Sequence, residues 1–165
     1  MTAQSVRATL LATLMVFGLA GCTQTPPEDT LTVEEAKAVA QAGELEIVGH
    51  IPVELVVSVD QQATGSLLSC EGDRNYTWAG GTVVTLKPNV DVTEVIDGIY
   101  NAYAEREGWT AQREESAHGD PQAIIDGPGG DGYLTTGDAE RSAIDLDSYS
   151  PCFHLPDGQS SRGGF

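Results

Sequence analysis

Basic residues are scarce. Lys and Arg number 8 against 25 Asp and Glu, and the formal net charge is −17. A nucleic-acid-binding surface is thereby excluded as the main activity, because a phosphate backbone would be repelled. Long apolar runs are missing as well. None reaches the ~18 residues that a membrane-spanning helix needs. Histidine is limited to His50, His118 and His154, and cysteine to Cys22, Cys70 and Cys152. There is no H-E-x-x-H, so the zinc-protease signature is absent. There is no G-x-S-x-G, so no hydrolase elbow. No Walker loop is present, and the one G-x-G-x-x-G, Gly127-Pro-Gly-Gly-Asp-Gly132, has no following helix or Lys, so nucleotide binding has no support either. No catalytic residue, metal site or cofactor is assigned on these grounds. What is present is 165 residues with 40% hydrophobic content, which fits one modest folded domain with or without a targeting segment.

The many acids form no recognisable ligand set. Asp126-Gly-Pro-Gly-Gly-Asp131 lacks the alternating acids and twelfth-position Glu of a calcium loop; the stretch Gly127–Gly132 reads as a hairpin turn. Asp145-x-Asp147 is a single pair on a solvated strand face. Cys152 and His154 would share one strand face, but no neighbouring cation is there to stabilise a thiolate. His118 lies in a polar turn and reads as solvent-exposed. Asn75-Tyr76-Thr77 matches a glycosylation sequon, discounted on account of what the first residues of the chain resemble.

The front of the chain carries the sharpest signal. Arg7 precedes an apolar stretch, Leu10–Ala20, too short to span a bilayer and shaped like a secretory signal peptide. It ends Leu19-Ala20-Gly21-Cys22, which resembles the lipobox of bacterial lipoproteins. The resemblance implies that the Cys22 thiol takes up diacylglycerol and that residues 1–21 are then removed as a signal peptide. Residues 22–31 would form the lipidated N-terminus and a flexible linker, since Thr23–Thr30 is polar and contains Pro26-Pro27. Acyl chains contribute ~0.8 kcal/mol per buried methylene, so two of them anchor firmly. The acidic domain itself would be repelled by anionic headgroups. The expected location is the extracytoplasmic face of the cell membrane, with the membrane as a partner through the lipid on Cys22.

With Cys22 lipidated, Cys70 and Cys152 remain. An even pair in an exported domain is most simply a disulfide, and two free thiols are the alternative. A bond closing so long a loop contributes ~4.5 kcal/mol in the chain-entropy picture.

Residues 32–155 read as a single α+β domain, an antiparallel sheet of four to five strands with two helices packed against it and one disulfide. Thr32 and Glu35 form a capping-box pair. A helix opens there and either breaks at Gly43 or runs on to a stop at Pro52. Val53, Leu55, Val57 and Val59 alternate as in a strand with one buried face. Leu67-Leu68 is a short apolar stretch ending at Cys70. Tyr76–Leu86 reads as strand, interrupted by Gly80-Gly81. Asp91 caps a second helix whose stripe is Val92, Val95, Ile96, Ile99, Tyr100 and Tyr103, with Gly108 at its stop and Trp109 folding back. A meander follows through Trp109–Ser116, Ala123–Asp126, Tyr133–Thr136 and Ala143–Tyr149. Residues 156–165 read as a disordered tail.

Thr64–Cys70, Tyr76–Leu86 with Trp78, Gly108-Trp109-Thr110 and Ser148–Phe153 make the domain similar to a group of small actinobacterial cell-envelope lipoproteins. That group implies an envelope address and no catalytic residues to carry over. The expected role is a lipid-anchored, non-enzymatic module that binds an envelope protein or a small ligand. The alternative is an envelope hydrolase with a site assembled from scattered acids. A binding module should present an apolar patch or open sheet face, whereas an enzyme should gather perturbed polar groups in a pocket. Tyr76, Trp78, Trp109 and Tyr133 are the aromatics to follow, with core packing the expected role of both Trp residues.

Overall fold

The computed structural model of the protein describes residues 31–165; the lipobox and Cys22 lie outside them. Helix α1 spans Val33–Val48 and helix α2 Val92–Ala104. A short 3-10 turn at Val53–Leu55 leads into β1 (Val56–Gln61), then β2 (Ser66–Ser69) and β3 (Asn75–Leu86). After α2 come β4 (Thr110–Glu115), β5 (Pro121–Asp126), β6 (Gly132–Asp138), β7 (Ala143–Tyr149) and β8 (Phe153–His154). The fold is α+β with one antiparallel sheet and one disulfide. No described helix is long and apolar enough to cross a membrane.

The sheet has eight strands rather than four to five. Six form the continuous order β1-β3-β7-β6-β5-β4; β2 and β8 are added because of the length of β3. At 12 residues it extends ~40 Å at about 3.3 Å per residue, too far for one short strand to cover. Each of its edges therefore takes two partners. On one edge β2 pairs with Tyr76–Ala79 and β1 with Thr82–Leu86. On the other, β8 pairs with Asn75–Tyr76 and β7 with Ala79–Thr85. On the β1/β2 edge, Gly80-Gly81 marks the change of partner. The rest is a meander in the order β7-β6-β5-β4.

Both helices cover one face. Its core joins Ile47 of α1 and Val92, Val95, Ile96, Ile99 and Tyr103 of α2 to sheet residues that include Val84, Ile125, Tyr133, Ile144 and Leu146. A second cluster places Trp78, Phe153 and Leu155 against Ala36 and Ala40. Alternate residues point the other way: Ile124, Leu134, Asp145 and Asp147 lie on the uncovered face.

The capping box at Thr32 and Glu35 is present in both directions. Helix α1 continues through Gly43, because the glycine faces the sheet: a Cβ there would fall 1.8 Å from the Tyr133 hydroxyl oxygen. Helix α2 ends earlier than expected, at Ala104. Two tight turns follow, with Arg106 N–H donating to the Tyr103 carbonyl and Trp109 N–H to that of Arg106. They return the Trp109 ring to within 4.9 Å of Tyr103, and Gly108, at φ +82°, serves the second turn rather than the helix stop. Val57 and Val59 lie on the sheet edge and stay exposed instead of burying a face. Residues 156–165, expected to be disordered, contain no helix or strand, yet Phe165 packs against the Trp78 cluster.

Candidate functional site

Cys70 and Cys152 are joined, with Cα atoms 6.3 Å apart. Cys70 follows β2 and Cys152 precedes β8, so the bond clamps together the two strands that flank the first half of β3. Cys152 is therefore not available to pair chemically with His154, whose Nδ1 lies 3.3 Å from the Asn75 side-chain oxygen. The third cysteine, Cys22, is outside the described residues.

An open groove of about 500 Å³ runs between the end of α1 and the start of α2. Pro52 and Leu55 supply one apolar wall, and Val90 and Val95 the other. Asp91 and Glu94 sit on its rim. Asp91 is committed to the helix cap, accepting from Thr93 N–H at 2.9 Å. Gly98 also lines the groove and leaves its wall flat: among the described residues nothing outside its own turn of α2 comes within 4 Å of where a Cβ would stand. His50, at one end, packs edge-on against Tyr103 at 5.3 Å.

Beneath the helices lies a separate polar centre. Glu44 is fully buried on α1. Its carboxylate accepts from Thr82 Oγ1 at 2.6 Å, from Gln61 Nε2 at 2.7 Å, and from the Ser148 hydroxyl. No cation pairs with it among the described residues; three neutral donors compensate its desolvation instead. Nearby, the Tyr133 hydroxyl donates to Asp131 at 2.9 Å. The turn at Gly127–Asp131 makes this possible by folding tightly around the Asp131 carboxylate, which lies 2.4 Å from where a Cβ on Gly127 would be. Burial first, then the Asp131 charge, pushes the Tyr133 phenol far above its ordinary range. Burial and the charge of Glu46 push Tyr103 up to about 12, with Arg106 opposing them. Arg106 pairs with Glu46 and lies over Trp109 at 4.4 Å and Tyr103 at 5.2 Å. The Tyr103 hydroxyl is buried with no hydrogen-bond partner among the described residues.

Phenols shifted upward are poor proton donors near neutrality, and Glu44 is sealed from solvent. This centre specifies packing and does not present reactive groups to a ligand. On the uncovered face, partial burial and the neighbouring Asp145 raise the Asp147 carboxyl. Asp145 itself is engaged by Arg141, which also holds Asp138 at 2.6 Å. Among the described residues no group of three or more His, Cys, Asp or Glu is placed to hold a metal ion.

The aromatic candidates divide. Trp78 and Tyr133 are core residues, while Trp109 and Tyr76 are half-buried. The groove itself was not legible in the sequence, because its walls come from two segments some forty positions apart. The one local signal was Pro52, the expected stop of the first helix, which lines the groove. Compared with models of known protein families, with curated proteins and with solved structures, the chain finds no match in any of the three.

Proposed function

We propose that the protein is a lipid-anchored, extracytoplasmic binding module, tethered through Cys22 and carrying no chemistry of its own. The disulfide carries this reading. A bond between Cys70 and Cys152 persists in an oxidising compartment and is rare in a reducing cytosol. It uses both cysteines of the domain and leaves Cys22, at the end of Leu19-Ala20-Gly21, for the lipid. The groove between α1 and α2, with apolar walls and an acidic rim, supports binding of a small ligand or a partner element.

Two measurements test it. Cells expressing Cys22→Ser should accumulate an unprocessed precursor that takes up no labelled fatty acid, and normal labelling would sink the anchor. Gly98→Leu should fill the groove without touching the core, because that position faces open space. Wild-type bait crosslinked in the envelope should then capture a component that the Gly98→Leu bait does not. Identical capture by both would remove the groove from the proposal.

A further inference from the structure

Phe165 is seated at the entry to β2 by a built set of partners. Its N–H donates to the Gly65 carbonyl at 3.1 Å, and the Gly65 N–H donates to the Phe165 carbonyl at 2.8 Å. Such a mutual exchange is the pairing of an antiparallel ladder. It occurs one residue before β2, a strand that has only β3 as a partner among the described residues. The same Phe165 oxygen accepts from Trp78 Nε1 at 3.3 Å and from Lys37 Nζ at 3.4 Å. Donors from α1, from the β2 entry and from β3 thus converge on one carbonyl. The Phe165 ring packs against the Trp78, Phe153 and Leu155 cluster. Gly65 itself lies hard against β3, where a Cβ would stand 2.2 Å from the Ala79 carbonyl oxygen and 2.5 Å from the Trp78 ring.

The segment leading to this seat is fastened at its root and free between. Arg74 donates to the carbonyls of Leu155, Pro156 and Gln159 and pairs with Asp157 at 3.4 Å. From Pro156 to Gly164 the backbone has no regular structure and nearly every side chain is exposed. Two of the chain's 8 basic residues, Lys37 and Arg74, are thus spent on holding it. A solvent-exposed span ending in one aromatic residue paired to a strand entry has the form of a peptide ligand added to a sheet edge.

We propose that the seat formed by Gly65, Trp78 and Lys37 is a peptide-recognition site, and that residues 156–165 are its displaceable intrachain occupant. The partner it fits is an extended segment of another chain that adds to the β2 entry and places an aromatic side chain opposite Gly65. This supplies a partner class for the binding module of the preceding subsection, at a seat distinct from the α1–α2 groove. Its test does not depend on Cys22, so failure of either leaves the other standing.

The probe is a synthetic peptide of residues 156–165, added to the full chain carrying Phe165→Ala. The readout is hydrogen exchange at the two indole N–H groups, assigned with Trp109→Phe. Ala keeps the main-chain oxygen that Trp78 donates to, but without the ring packed against the Trp78 cluster the segment should leave its seat. Exchange at Trp78 should then speed roughly fivefold to tenfold, the ratio expected when one such hydrogen bond is lost, with Trp109 unchanged. Peptide should restore Trp78 protection saturably. Its concentration must reach the order of millimolar to compete with a tethered segment. A peptide with Ala at its last position should restore nothing. Unchanged exchange in Phe165→Ala would overturn the proposal, and so would failure of the peptide to restore protection. Equal action of the Ala peptide would also overturn it. Loss of Trp109 protection together with Trp78 would make the segment a structural part of the fold, and the proposal would fall.

Discussion

The Tyr133 hydroxyl occupies the space that a side chain at position 43 would need, 1.8 Å from the Cβ that Gly43 lacks. Helix α1 carries a glycine in mid-course for this reason and not as a break. Replacing it with Ala gains ~1 kcal/mol of helix propensity. The clash with a buried ring outweighs that gain, since overpacking costs ~1–3 kcal/mol and more where the ring cannot yield. Gly43→Ala should therefore lower the denaturation midpoint in urea. A raised midpoint would show that α1 can slide away from β6.

Glu44 tests the buried polar centre. Glu44→Ala removes the acceptor for Thr82, Gln61 and Ser148 and opens a void. The loss should be about 2–5 kcal/mol, from buried donors left unpaired and from the cavity. Glu44→Gln keeps the volume and one acceptor oxygen, so it should lose less. Equal losses in chemical denaturation would mean that shape alone matters at this position.

Opening the bond between Cys70 and Cys152 should cost about 2–5 kcal/mol. Cys70→Ser and Cys152→Ser should be destabilised alike, and the double variant little further, because the first substitution already frees both strand ends. Thiol titration of the unreduced protein should find neither cysteine of the domain. Two reactive thiols there would contradict the pairing.

Alkali should destabilise the fold through its tyrosines. The Tyr103 pKa is raised from 10.0 to about 12, with burial as the main cause. A phenol whose folded pKa exceeds the unfolded one contributes stability that is fully present below the unfolded value. That contribution is lost as pH rises from 10 towards 12. Tyr133 is raised further in the same direction. Phenolate absorbance of the native protein at about pH 11, between the two Tyr103 values, should fall short of that in denaturant. Matching absorbance would show that both phenols reach solvent while the protein is folded.

Signals written within a few residues were readable in the sequence. Thr32 with Glu35, Asp91 with the α2 stripe, and the limits of β7 all depend on neighbours three or four positions away or on strict alternation. Local chemistry fixes such features before any tertiary contact forms. The number of strands was not readable. A two-residue strand such as β8 has no periodicity, and whether β3 takes one or two partners on each edge depends on how far it outreaches them.

What the sequence by itself determined is the α+β character, the acidic charge, the two helix starts, and the only cysteine pair left once Cys22 is set aside. Tertiary structure alone decided which glycines make room for rings, which carboxylate is buried, and where the final segment lies. Gly43 and Tyr133 are 90 positions apart, Glu44 and Ser148 are separated by 104, and Gly65 meets Phe165 across the whole domain. Such contacts leave no mark in composition or spacing. Each residue acquires its role only when packing sets it against a partner that the chain brings from far away.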